Sequence, residues 1–295
     1  MTLPLPAQQT ATIELPGEPT PWQVDRLEDQ LVIATPALPL DPADRLDTWR
    51  GCLVANLCSE MAADARFALR DAAGPCLEIS VGAEQLEAGI ARLQALRLEG
   101  QAAMGAMDYS AAQDIEQALD TASQQADADP QVLALLEVLQ SNTAADAELA
   151  ALLSVDLVQG AGILEPDDES WVMAVGPSYR DAHLSLTVAL AMLGGDEQDG
   201  PLLQNGLTLG SARVIGPAFR IGCDPMADTL LLSTDVAPHQ CDAAAIKEAI
   251  GGLLLLAQRL EPLLYAASGS DTGTPPSSLQ PTAADSLSAY QMMRA

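Results

Sequence analysis

RFALRDAAGPCLEISVGAEQLEAGIARLQAL, residues 66–96, decides the fold class. Phe67 and Leu69 alternate with Arg66, Ala68 and Arg70. After Gly74-Pro75, Leu77, Ile79 and Val81 alternate with Cys76, Glu78 and Ser80. A period of two on both sides of a Gly-Pro break predicts strand, turn, strand. The period then changes. From about Ala83 a helix is predicted, with Leu86, Ile90, Leu93 and Leu96 or Arg97 along one side. Antiparallel strands feeding a helix point to an α+β unit. Arg66 and Arg70 either pair with Glu78 across the strands or grip an acidic partner.

Upstream, Trp22–Leu27 alternates and is followed by the apolar run of residues 30–35, with charged residues between them. That predicts a hairpin. Before it lies a Pro-rich lead-in with one short strand near Ala11–Leu15. Asp41 and Pro42 predict a helix cap and first turn. Leu46, Trp49, Leu53, Leu57 and Met61 then form one apolar helical face.

Downstream, residues 105–160 are rich in Ala, Gln and Asp and predict helix throughout, broken near Gly105, Pro130 and Asn142. SWVMAV predicts a strand ending at Gly176-Pro177. A helix is predicted from about Asp181, with Leu186, Leu190 and Leu193 on one side. A Gly-rich loop then leads to SARVIGPAFRIG, a turn at Asp224-Pro225, the strand TLLLST and a long helix carrying Ile246, Ile250, Leu253, Leu260 and Leu264. The two halves share this order. RFALRDAAGPCLEISV lies beside FRIGCDPMADTLLLST with Asp71 against Asp224, a tandem arrangement. The Ser/Thr/Pro-rich stretch from Ser268 predicts disorder.

Composition narrows the function. The 295 residues carry 41 acids and 13 bases, a net charge of −28, and are 48% hydrophobic. The apolar content suffices for a core. A basic footprint for nucleic acid is absent, and an anionic membrane surface would repel the chain. Ile246–Leu264, the longest apolar run, is interrupted by Lys247, Glu248, Gln258, Arg259 and Glu261, so no span is expected. MTLPLPAQQT lacks the basic and apolar regions of a secretory leader. Cys52, Cys58, Cys76 and Cys223 read as reduced, buried thiols. A cytoplasmic location follows.

No cofactor, metal or catalytic constellation is expected. His183 and His239 are the two histidines, and neither sits in a metal-ligand or triad pattern. Asp167-Asp168-Glu169 reads as a turn without calcium-loop spacing. Gly194-Gly195 and Gly206–Gly210 lack a neighbouring base to hold phosphate. The helix faces around Trp49 and Leu253 serve either as core or as interface. An acid-based enzyme would need paired carboxylates meeting across the fold.

The order strand, strand, helix, strand, Asp turn, strand, helix resembles the class I type III secretion chaperones, the Tir-chaperone-like family. The likeness lies in residues 181–266, where a helix leads to GPAFRIGCDPMADTLLLSTDVAPHQCDAAAIKEAIGGLLLLAQRLEPLL, and in residues 22–104. It covers about two thirds of the chain. The resemblance implies a non-catalytic protein that binds an extended segment of a secreted effector, or a component of the secretion apparatus, by strand addition and pocket filling. It implies a homodimer, or here an internal pseudo-dimer. The chain departs from the family in carrying two units, in its Pro-rich lead-in where a helix is usual, and in the long stretch 105–160. An adaptor or regulator of the same fold is the alternative.

The expected organisation is therefore a first unit over 1–104, a helical connector over 105–145, a second unit over 146–267 and a tail over 268–295. Each unit has a small antiparallel sheet packed by helices. The expected partner contacts are Val32 and Ile33 in the first unit and Val214, Ile215 and Leu231 in the second.

Overall fold

The computed structural model describes residues 9–27, 30–38, 44–58, 64–70, 74–106, 129–156, 160–164, 171–178, 180–194, 199–225 and 227–266, without the side chains of 9, 58, 98–106 and 266. Asp41, Pro42, Met61, Asp71, Asp167–Glu169, Gly195 and the tail from Ser268 lie outside the described residues. By contacts the chain divides into Met1–Met107 with Leu203–Gly222, and Asp108–Leu202 with Cys223–Ala295. This division is not linear along the sequence. A stretch from the second half belongs to the unit that begins the chain.

In the first unit β1 (Gln9–Ile13), β2 (Trp22–Leu27), β3 (Gln30–Ala34), β4 (Ala65–Leu69) and β5 (Pro75–Gly82) form an antiparallel sheet ordered β1-β2-β3-β5-β4. The predicted hairpin is β2–β3, in which Val24 faces Ile33 and Asp25 faces Val32. Helix α1 (Arg45–Cys58) packs on β4. Helix α2 (Leu86–Ala106) packs on β5 and β3. Gly89 allows the second contact: a Cβ there would meet Ile33 Cδ1 at 2.9 Å and Val81 Cγ1 at 3.0 Å.

Helix α1 departs from the single apolar face read from its leucines. Gly51 to Leu57 are buried without interruption, as a helix covered on several sides requires. Part of the cover comes from the imported stretch. Asn56 donates from Nδ2 to Phe67 O and Ile221 O, both at 3.0 Å, and accepts from Phe67 N at 2.6 Å. Gly222 lies so close that an added Cβ would overlap Leu57 Cγ and sit 2.7 Å from Leu53 O. Backbone cannot move aside as a side chain can. Gly222→Ala is therefore expected to cost about 1–3 kcal/mol, read as a lower midpoint in denaturant followed by tryptophan fluorescence. Trp22 and Trp49, both buried in this unit, report the transition.

The second sheet is ordered β10-β11-β9-β8-β7-β6, from β6 (Leu153–Asp156), β7 (Ala161–Leu164), β8 (Met173–Pro177), β9 (Leu184–Met192), β10 (Phe219–Asp224) and β11 (Thr229–Val236). The unit boundary falls inside β10. The remaining helices are α3 (Pro130–Ala144), α4 (Ala147–Leu152), α5 (Gly200–Leu209), α6 (Ala212–Ile215) and α7 (Ala243–Ala266). Asp129 and Asp146 cap α3 and α4 through their carboxylates. Asn142 donates to Pro238 O at 2.7 Å and Cys241 O at 2.9 Å, which fixes the approach to α7. Helix α7 covers β9 and β11. The single lysine, Lys247, bonds to Glu148 and Asp146; these bonds raise its pKa, and its bond lowers that of Asp146.

Three expectations change here. The helix expected from Asp181 is instead strand β9. It runs between β8 and β11 and is buried on both faces, with Leu184, Leu186 and Val188 at 0–1% exposure on one and Thr187 and Ala189 at 6–7% on the other. Its leucines at 186 and 190, with Leu193 beyond, also match a helical period, and that competes with the alternation of Leu184, Leu186 and Val188 against Ser185 and Thr187. The Gly-rich loop before residue 211 contains helix α5, which buries Leu203 and Leu207 one turn apart. Within 105–160, expected to be helical throughout, Leu153–Asp156 form strand β6, while 107–128 and 157–159 lie outside the described residues. With these corrections the first unit's sequence of elements, β1-β2-β3-α1-β4-β5-α2, recurs as β7-β8-β9-α5-β10-β11-α7, with α6 added.

Candidate functional site

Alternation in the first sheet sends Trp22, Val24, Ile33, Phe67, Leu77 and Ile79 to one face, the apolar core beneath α1 and α2. The other face receives Gln23, Asp25, Arg66, Arg70 and Glu78. These polar groups are nonetheless buried: Asp25 and Glu78 are 0–1% exposed. A buried charge is stable only with partners, and each charge here has them.

Arg70 is the centre. Its Nη1 donates to Asp25 Oδ2 at 2.6 Å and to Gln23 Oε1 at 3.2 Å, and its Nε donates to Glu78 Oε1 at 2.5 Å. Asp25 Oδ1 also accepts from the Thr10 hydroxyl at 2.7 Å, which ties β1 to the network. Glu78 accepts from Ser211 Oγ at 2.8 Å and from Ala212 N at 2.9 Å. Burial works against the Arg70 charge, but Glu78 above all, then Cys76 and Asp25, raise its pKa beyond the ordinary value. Arg66 reaches the segment that follows α6. Its guanidinium donates to Gly216 O at 3.3 Å, Pro217 O at 2.6 Å and Phe219 O. Two arginines and two carboxylates balance on this face of a chain whose net charge is −28.

Beside the network lies a cavity of about 340 Å³, lined by Thr20, Pro21, Gln23, Thr35, Arg70 and Cys76 among others. Arg70 Nη2 is buried there without a hydrogen-bond partner. An arginine keeps its proton, so the Asp25–Arg70–Glu78 chain orders strands rather than relaying protons. The residues meeting here join β1, β2, β4, β5 and α6, and their chemistry is that of positioning.

Of the two readings for the arginines, Arg70 pairs with Glu78 as the first reading has it, and also with Asp25. Arg66 holds backbone carbonyls. The expected partner contacts fall elsewhere than on a surface. Val32 and Ile33 are 0% exposed in β3, and Ile215 and Leu231 are 5% exposed in α6 and β11; only Val214 is half-buried. Central strands and the inner side of a short helix are core, so a partner finds these four side chains already covered. Trp49 and Leu253 are buried likewise. His183 donates from Nδ1 to Asp181 O, 2.7 Å away, in the turn before β9, and His239 is exposed. Among the described residues no group of three or more His, Cys, Asp or Glu side chains could hold a metal ion. No described helix is long and apolar enough to cross a membrane.

Cys52, Cys76 and Cys223 are buried free thiols and Cys241 is partly exposed. Burial pushes the Cys52 thiol far up from its ordinary value. In the native protein Ellman's reagent is expected to modify Cys241 well before these three, which become reactive only on unfolding. Rapid labelling of Cys52 without denaturant would contradict the packing of α1.

The sequence matches no family model and no curated protein. Solved structures similar to it include the Yersinia pestis type III secretion chaperone SycH in complex with a stable fragment of YscM2. That similarity has 19% identity and a TM-score of 0.29, over 41% of this chain and 98% of the other. The HopA1–SchA chaperone–effector complex is similar at 16% identity and a TM-score of 0.33, over 45% and 97%. The ExsC–ExsE complex is similar at 16% identity and a TM-score of 0.32, over 44% and 93%. The first two contain chaperones.

Proposed function

We propose that this chain is a non-catalytic chaperone that binds an extended segment of a secreted effector protein and keeps it export-competent for type III secretion. The observation that carries the reading is the outer strand of the first sheet. β1 pairs only with β2 among the described residues, and Thr10, Ala11 and Thr12 on it are exposed. An exposed edge offers its unused N–H and C=O groups to an extended chain, which gains backbone hydrogen bonds without having to fold. The charge of −28 works with this. It keeps copies of the chain apart and draws basic segments toward it.

The test is co-expression with effectors encoded beside it in its native source, then purification and limited proteolysis. The expected result is a complex in which one stretch of the effector resists protease while the rest is digested. An adaptor of the same fold would hold a folded partner, which would survive proteolysis whole. Failure to retain any effector at micromolar concentration would remove the chaperone reading.

A further inference from the structure

Counted from corresponding edges, the two sheets run β4-β5-β3-β2-β1 and β10-β11-β9-β8-β7-β6. Position for position β1 answers to β7. The second sheet then has one strand more. β6 pairs antiparallel with β7, Leu153 facing Leu164 and Asp156 facing Ala161. Gly162 on β7 seats it closely: a Cβ there would lie 3.4 Å from Ser154 O and 3.7 Å from Val155 Cγ2. Helices α3 and α4 pack against β6. Leu153 and Val155 are half-buried while Ser154 and Asp156 are exposed. In the first sheet the place beside β1 is open among the described residues.

The two outer strands also differ in protection. Natural edges are blunted by shortness, charge or proline. β6 is four residues long and ends in Asp156. β1 is QTATI, with no charge and no proline.

We propose that β6 is a built-in occupant, filling on the second sheet the position that β1 leaves open on the first. The chain therefore takes one extended segment, at β1, and none at β7 while β6 is in place. This rests on the chaperone reading above. The occupant for β1 is a segment of another protein, with apolar residues at alternate positions, as in β6, and basic residues flanking them. A second copy of this chain would bring −28 against −28, whereas a basic segment gains from the same field.

The probe is a short synthetic peptide with alternating Val and Ser at its centre and arginines at both ends. Native mass spectrometry of the full chain is expected to show one peptide bound. N-methylation of alternate central amides is expected to weaken binding about tenfold or more, through lost backbone hydrogen bonds. On an edge strand successive N–H groups point alternately outward. One of Ala11→Pro and Thr12→Pro should therefore keep the native circular dichroism and lose binding to the same degree. Releasing β6 by Val155→Pro, or by Val155→Asp if the first variant unfolds, is expected to raise the count to two.

Two peptides on the unaltered chain would overturn the role of β6. So would a count that stays at one in a folded Val155 variant whose β6 amides have lost exchange protection. Binding of one peptide that neither proline variant affects would overturn the assignment to β1. Conversion of a dimer to a monomer by the proline variants, with peptide binding unchanged, would make a second copy the occupant and overturn the proposal. Absence of any peptide binding, even to the Val155 variants, would instead sink the chaperone reading itself.

Discussion

Glu78→Ala is expected to destabilise the first unit by about 3–5 kcal/mol. The side chain is 0% exposed and Arg70, its partner, is 5% exposed, so water screens little of the interaction. Removing the carboxylate leaves Arg70 with Asp25 and Gln23 alone. It also leaves Ser211 Oγ and Ala212 N without the acceptor that holds the start of α6. Both losses fall on buried groups, where an unmade hydrogen bond carries its full desolvation cost. The measurement is urea denaturation followed by the fluorescence of Trp22 and Trp49. Glu78→Gln keeps the shape and part of the hydrogen bonding and should lie between. An unchanged midpoint in Glu78→Ala would show that the network contributes nothing to stability.

Ile33→Asp is expected to be at least as damaging, at about 4 kcal/mol or more. Ile33 is 0% exposed and sits under α2 with Gly89 pressed against it. A carboxylate there loses the apolar contacts, and Arg66 and Arg70, which hold the buried carboxylates, lie on the other face. With a typical domain stability of roughly 5–15 kcal/mol, the first unit would be largely unfolded, and far-UV circular dichroism should show it. The residue would then abolish partner binding only by removing the fold. Thr12 on β1 offers the contrast, because it is exposed. Thr12→Asp should leave the spectrum unchanged. A native spectrum and normal stability for Ile33→Asp would place Ile33 at a surface and contradict the packing.

The sequence was most legible where one face of a strand is apolar and the turn is marked. β2–β3 and β4–β5 follow from the alternation around Val24, Ile33, Phe67 and Leu77, with Gly74-Pro75 as punctuation. It was least legible where burial is two-sided or elements are short. LSLTVALAM does alternate, with Leu184, Leu186 and Val188 against Ser185, Thr187 and Ala189, but Leu186, Leu190 and Leu193 also fit a helical spacing, and both periods compete in so apolar a stretch. GPLLQNGLTL carries a proline at the second helical residue and two glycines, which hid the pairing of Leu203 with Leu207. β6 is too short to show a period. The candidate site divides the same way. The Arg70–Glu78 pair spans eight residues across one marked turn and could be anticipated. Asp25 and Ser211 lie 45 and 133 residues from their partners, and no local pattern encodes such meetings. Of the expected partner residues, Val32, Ile33, Ile215 and Leu231 are buried and Val214 is half-buried, because an apolar side chain marks a core position as readily as an exposed one.

The non-linear first unit constrains synthesis. Asn56, Arg66 and Glu78 all bind within residues 211–221, so α1, β4 and β5 have their full set of partners only after Gly222 has been made. At roughly 5–20 residues per second, the stretch from Met107 to Gly222 keeps a ribosome occupied for on the order of ten seconds. For that interval the nascent chain carries one face of its first sheet with Arg66, Arg70, Asp25 and Glu78 still wet, and one side of α1 still bare. Completion of this unit is thus timed by translation of the second half.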